Sequence, residues 1–187
     1  MTRREAILEA ALGSFDATGS TAIEEIRRRS GASVGSIYHH FGGVDGIAVA
    51  LYVEILREYQ AGVVDALKGA HDAEDGVKAL VRHHLRWVEH NRGRAGFLLQ
   101  SGGMRAAAGD ELKELNRSLS TTIGDWVERQ AEIRPLRREV FYAAVIGPAQ
   151  ELSRAWLTDR IPSLREFEDE LAEAAWRAIR VDDRSRR

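Results

Sequence analysis

Apolar residues recur at helical spacing along almost the whole of this chain, and no stretch alternates apolar and polar residues long enough to make a half-buried strand. That periodicity admits only helices packed on helices. Ile7, Leu8, Ala11, Leu12 and Phe15 share one face, with Thr2 and Glu5 placed as a capping box and Gly19 as a stop. Thr21 and Glu24 repeat the box and open a short helix to about Arg29; Ser33 caps another to about His39. Gly42-Gly43 breaks the chain, and Asp45 suits the positive end of a new helix. Ile47, Leu51, Ile55, Tyr59, Val63 and Leu67 then follow at fourfold spacing, predicting one long helix to about Gly69.

Residues 71–76 read as a polar, acidic linker. Val77, Leu80, Val81, His84, Leu85 and Val88 stripe the next helix, which stops before Gly93. A short helix and a loop fit 94–109, and Leu112, Leu115, Leu119, Ile123 and Trp126 mark a further helix. Pro135 predicts the first turn of a helix running to about residue 158, kinked at Gly147-Pro148. Pro162 separates a last helix over about 164–180. The predicted fold is all-α, about nine helices: a three-helix head over 1–46, a larger helical body over 47–180, and a disordered polar tail over 181–187.

The absence of Cys excludes a disulfide scaffold, Cys-ligated zinc and a thiol nucleophile. No apolar run reaches the roughly 18–20 residues that span a bilayer, and the polar start is unlike a signal peptide, so a cytoplasmic protein without a membrane partner is expected. The formal net charge of −2 argues at first against a polyanionic partner. Distribution matters more than the sum. Residues 1–46 hold five Arg against six acids, yet between Arg27 and Val44 lie three Arg, two His and no acid.

That window also holds the most specific pattern. Two short helices joined by a tight turn at Gly31 form a helix-turn-helix, whose second helix enters the major groove of DNA. Ile23, Ile26 and Ile37 supply the apolar faces that fix the interhelical angle. Ser33, Gly35 and Ser36 are small, so the helix start can approach a duplex closely, with hydroxyls and N–H groups free for phosphates and base edges.

Gly19, Thr21-Ala22-Ile23, Ile26, Ser30-Gly31-Ala32-Ser33, Gly35-Ser36-Ile37-Tyr38-His39-His40-Phe41, Asp45 and Ile47 resemble the N-terminal signature of the tetracycline-repressor (TetR) family, over about residues 3–50. The resemblance implies a homodimer on double-stranded operator DNA, with a small-molecule pocket in each body. By matching position it implies that Thr21 bonds phosphate and that Ser33, Gly35, Ser36, Tyr38, His39 and His40 face DNA, with Arg28 close by. Two positions depart from the family. Arg27 stands where Ala is common, and Val44 where a phosphate-binding Lys is usual; Arg3, Arg4 or Arg28 are the candidates to compensate. Phe41 is assigned to the core, and Tyr38 partly to packing on the first helix.

In the body, Trp87, Phe97, Met104, Leu119, Ile123, Trp126, Tyr142 and Ile146 are candidates to enclose an apolar inducer, with Gln100, Gln150 and Tyr142 placed to orient it. His84, on the apolar stripe, reads as a core or pocket-lining residue rather than a metal ligand, because no metal-binding His/Glu spacing occurs. No catalytic motif and no cofactor fingerprint is present. The expected function is a ligand-responsive repressor; the rivals are a non-inducible DNA binder of the same fold and a helical-bundle carrier.

Overall fold

The computed structural model describes residues 2–102 and 104–181. The helices run α1 Arg3–Thr18, α2 Ile23–Ser30, α3 Val34–Phe41, α4 Val44–Lys68, α5 Ala73–His90, α6 Arg92–Gln100, α7 Met104–Ala107, α8 Gly109–Glu128, α9 Arg138–Val145, α10 Gly147–Leu157 and α11 Glu168–Ile179, with a 3-10 turn at Arg165–Phe167. The fold is all-α, and no helix among the described residues is long and apolar enough to cross a membrane. The polar tail over 182–187 lies outside the described residues.

Local chemistry sets most boundaries. The Thr2 hydroxyl accepts the Glu5 N–H at 3.2 Å while the Glu5 carboxylate accepts the Thr2 N–H at 2.7 Å, so the expected capping box starts α1. The second box is absent. Ala22 occupies the N-cap of α2 without a side-chain bond. The fully buried Ser14 does the tethering instead: its hydroxyl donates to the Ser20 carbonyl at 3.0 Å and accepts the Ala22 N–H at 3.2 Å. At the start of α5, Asp72 accepts the Asp75 N–H at 2.8 Å, so half of the expected linker is a capped helix start.

One later expectation is corrected. Pro135 does not start a helix; α9 begins at Arg138. The backbone just before Pro135 is committed elsewhere, since the Arg134 N–H donates to the Ile179 carbonyl at 2.9 Å and the Val181 N–H to the Glu132 carbonyl at 2.7 Å. These bonds terminate α11 through an antiparallel bridge between Ile133 and Arg180. At Gly147-Pro148 the helix breaks for one residue, Ile146, which stays in the αR region: α9 ends at Val145, and Pro148 sits in the first turn of α10, where its missing N–H costs nothing.

The chain divides into two compact units, residues 1–58 with 93–115, and residues 59–92 with 116–187. The first buries Ile7, Leu8, Leu12, Ile26, Ile37, Ile47, Leu51, Ile55 and Phe97. In the second, α11 packs along α5 over Val77, Leu80, Val81, Leu85, Trp176 and Ile179. The rim of that contact is ionic: Arg86 pairs with the buried Glu168, Arg82 with Asp169 at 2.8 Å, and Lys78 with Glu173 at 2.6 Å.

Candidate nucleic-acid interface

The turn between α2 and α3 is built for tightness. Gly31 takes φ +65°, a conformation costly for residues with a Cβ, and its N–H donates to the Arg27 carbonyl at 2.9 Å. Ser30 adds a brace, its hydroxyl donating to the Ile26 carbonyl at 2.7 Å and accepting the Ala32 N–H at 3.2 Å. Ser33 caps α3 by accepting the Ser36 N–H at 3.1 Å.

Fixed in this way, α3 turns one side chain fully inward. Ile37 is wholly buried, whereas Ser33, Val34, Gly35, Tyr38, His39 and His40 are exposed and Ser36 is half-buried. Tyr38 is 57% exposed and Val34, one turn earlier, 41% exposed. The expected packing role of Tyr38 is therefore a minor one: its ring spends most of its surface on solvent. Phe41 is only half-buried, with the Arg4 guanidinium 5.7 Å from its ring centroid. His39 and His40 lie edge to face at 5.2 Å at the end of α3. Thr21, half-buried, lies just before α2.

Gly35 is the most informative residue here. A Cβ at this position would meet only the Ser33 hydroxyl oxygen, at 3.9 Å. The fold has no use for a missing side chain there, and glycine in a helix costs roughly 0.5–1 kcal/mol relative to alanine. Space is left open on the outer face of α3, flanked by Val34 and Tyr38.

Most of the head's cations are already engaged. Arg3 donates to the Ser30 carbonyl at 3.3 Å, and Arg4 lies 3.8 Å from Glu54. Arg28 grips Glu25 through two bonds of 2.8 and 2.5 Å, and Arg29 reaches the same carboxylate at 2.5 Å. The hydrogen bonds from Arg28 and then Arg29 hold the Glu25 carboxyl down at about 2. Among the described residues no carboxylate pairs with Arg27. The i+3 and i+4 spacing of Arg28 and Arg29 from Glu25 was legible in the sequence, and it is the signal that marks the clamp.

The residues expected to hold a ligand fall in both units. Phe97 belongs to the first unit, buried edge-on against Phe15 at 5.1 Å. Gln100 and Gln150 are exposed. The Met104 side chain lies outside the described residues. In the second unit, Trp126 is buried over Gly76, Ile123 lines a cleft between α8 and α9, and Leu119 and Ile146 are half-buried.

A different cluster forms around His84. Its Nδ1 is 2.9 Å from the Tyr59 hydroxyl and its Nε2 3.2 Å from the Ser153 hydroxyl. Burial lowers the imidazole to about 4 and raises the Tyr59 phenol, so both are neutral near pH 7. The Trp87 ring meets Tyr59 at 5.1 Å, and its indole N–H is buried with no partner among the described residues. The half-buried Tyr142 is raised by burial and lies close enough to Tyr59 to act on its charge. Tyr59 and Ser153 were missed as candidates because only packing of separate helices brings them to His84. No group of metal-ligating side chains occurs among the described residues.

Residues 7–51 match the family described as bacterial regulatory proteins, tetR family. The chain is 32% identical over 82 residues to the HTH-type transcriptional regulator LmrA of Bacillus subtilis, covering 42% of this chain and 44% of that protein. It is 31% identical over 86 residues to the HTH-type transcriptional regulator BetI of Rhizobium meliloti, covering 45% and 42%. The matched segment thus spans less than half the length of these curated relatives. The fold match runs further: the fatty acid degradation regulator FadR from Bacillus halodurans superposes with a TM-score of 0.75 at 17% identity, over 92% of this chain and 97% of that one. Residues 7–51 thus belong to the tetR family of bacterial regulatory proteins, and the helical fold along nearly the whole chain is similar to that of FadR.

Proposed function

We propose that the chain is a DNA-binding transcriptional regulator, a homodimeric repressor that leaves an approximately palindromic operator when a small, largely apolar inducer binds. One observation carries the DNA-binding part: α3 exposes Val34, Gly35 and Tyr38 on one face, with a glycine there that the fold does not require. Exposed apolar area beside an open backbone is a surface made for a partner. The acid-free stretch from Arg27 to Val44 lets that partner be a polyanion.

Thr21, Ser33, Ser36, His39 and His40 supply phosphate and base-edge contacts in this reading, and Tyr38 packs on the duplex. Two copies of α3 reach successive major grooves when held about 34–36 Å apart, and α9, α10 and α11 are the elements assigned to the dimer. The inducer site is assigned to the Tyr59, His84, Trp87, Tyr142 and Ser153 cluster. The neutral imidazole and the unpartnered indole N–H suit an uncharged ligand that accepts a hydrogen bond. The ligand acts by its differential affinity for the DNA-competent and incompetent forms.

Selection of binding sites from random duplex DNA at two salt concentrations tests the reading. A twofold-symmetric consensus retained at the higher salt is expected. Indifference to duplex DNA at low salt would refute it and leave the carrier reading.

A further inference from the structure

We infer that Arg27 is the residue of α2 that binds the DNA backbone, while Glu25 keeps Arg28 and Arg29 from adding their charge to the interface. The inference rests on the DNA-binding reading above and assigns the phosphate contact that the departures at Arg27 and Val44 left open.

Of the five arginines in residues 1–46, four have partners inside the unit. Arg3 is spent on a backbone carbonyl, Arg4 on Glu54 and the Phe41 ring, and Arg28 and Arg29 on Glu25. The Arg29 guanidinium also lies against Gly13 of α1, where an added Cβ would be 2.7 Å from its Nη1. The Glu25–Arg28–Arg29 group presents two positive charges and one negative charge in a single hydrogen-bonded knot. To meet a phosphate, Arg28 must surrender a two-pronged pair, and Glu25 then faces the polyanion uncovered.

Arg27 surrenders nothing. It is exposed, it pairs with no carboxylate among the described residues, and with Glu24 and the clamped Arg28 it lines the surface groove of Gly31, Ala32 and Ser33, at the entry to α3. A guanidinium at this edge meets the sugar-phosphate wall of the groove that α3 enters.

Counterion release gives the size of the effect. Each phosphate neutralised contributes about 0.9 to the slope of log affinity against log salt, so two copies of Arg27 contribute roughly 1.8. At 0.1 M salt, with 1 M as reference, one contact is then worth about eightfold and two about sixtyfold. A phosphate contact is blind to sequence, so the loss should be equal on operator and random duplex.

The test measures operator and random-duplex affinity of the full chain from 0.05 to 0.3 M salt, for wild type, Arg27→Gln, Arg28→Gln and Glu25→Gln. Thermal unfolding of each variant serves as the folding control. Arg27→Gln should flatten the slope by roughly 1.8 per dimer and weaken both duplexes alike. Arg28→Gln should change the slope less than Arg27→Gln does. Glu25→Gln should tighten binding and steepen the slope by freeing Arg28. An unchanged slope in Arg27→Gln, or a loss confined to the operator, overturns the assignment while leaving the DNA-binding reading intact. Failure of the wild type to bind either duplex overturns both.

Discussion

Replacing Gly35 with alanine should make this protein more stable and less able to bind DNA. A Cβ there meets only the Ser33 hydroxyl oxygen at 3.9 Å, an ordinary contact that strains nothing. The unfolded chain loses backbone freedom and the helix gains a better former, which together are worth about 0.4–1 kcal/mol. For a chain of this size that raises the melting temperature by roughly 1–4 °C. The same methyl group stands on the outer face of α3, beside Tyr38 and Val34. If the duplex backbone or a base edge packs there, the added atom overpacks the interface at about 1–3 kcal/mol, roughly 5- to 150-fold in affinity. Differential scanning calorimetry and titration of the selected operator by fluorescence anisotropy read the two effects separately. A lower melting temperature would show that the glycine serves the fold. Unchanged affinity would show that α3 does not lie against DNA through this face, and either result refutes the reasoning.

Acid should weaken the second unit through His84. Its folded value of about 4 lies below the ordinary histidine value of 6.5, so between these limits the unfolded chain binds more protons. The contribution is complete above pH 6.5 and fades as pH falls toward 4, by about 3 kcal/mol at most; urea titrations at pH 7 and pH 4.5 should show a smaller difference in His84→Asn than in wild type. At the α5–α11 contact, Arg86→Ala should cost more than Glu168→Ala, because Glu168 is only 7% exposed and cannot recover solvation when its main partner is removed. Chemical denaturation is expected to give about 1–3 kcal/mol for the arginine variant, and equal costs would contradict the burial argument. Gly76→Ala would place a Cβ 2.1 Å from Cζ2 of Trp126, an overpacking worth about 1–3 kcal/mol that Trp126→Phe should partly relieve in a thermal-melt comparison of the double variant.

The α2–α3 site was readable because its requirements are local. A turn needs Gly31, a cap needs Ser33, and the one inward position of α3 needs Ile37, each within a dozen residues of the others. The His84 cluster was only partly readable. The histidine stood on an apolar stripe, but Tyr59 and Ser153 lie 25 and 69 residues away, and nothing in their own neighbourhoods marks them as its partners.

Sequence alone determined the helical class, the capped start of α1, the turn at Gly31 and the small, acid-free face that precedes and includes α3. These depend on backbone preference, 3.6-residue periodicity and side chains within one helical turn. Tertiary structure decided which cations remain free, which polar groups are buried together, and where α9 starts. Arg3 and Arg4 could have been read as free cations until the Ser30 carbonyl and Glu54 claimed them, and Pro135 as a helix start until the backbone just before it was claimed by the end of α11. Such outcomes turn on competition among distant groups for the same hydrogen bonds, and only the assembled chain settles that competition.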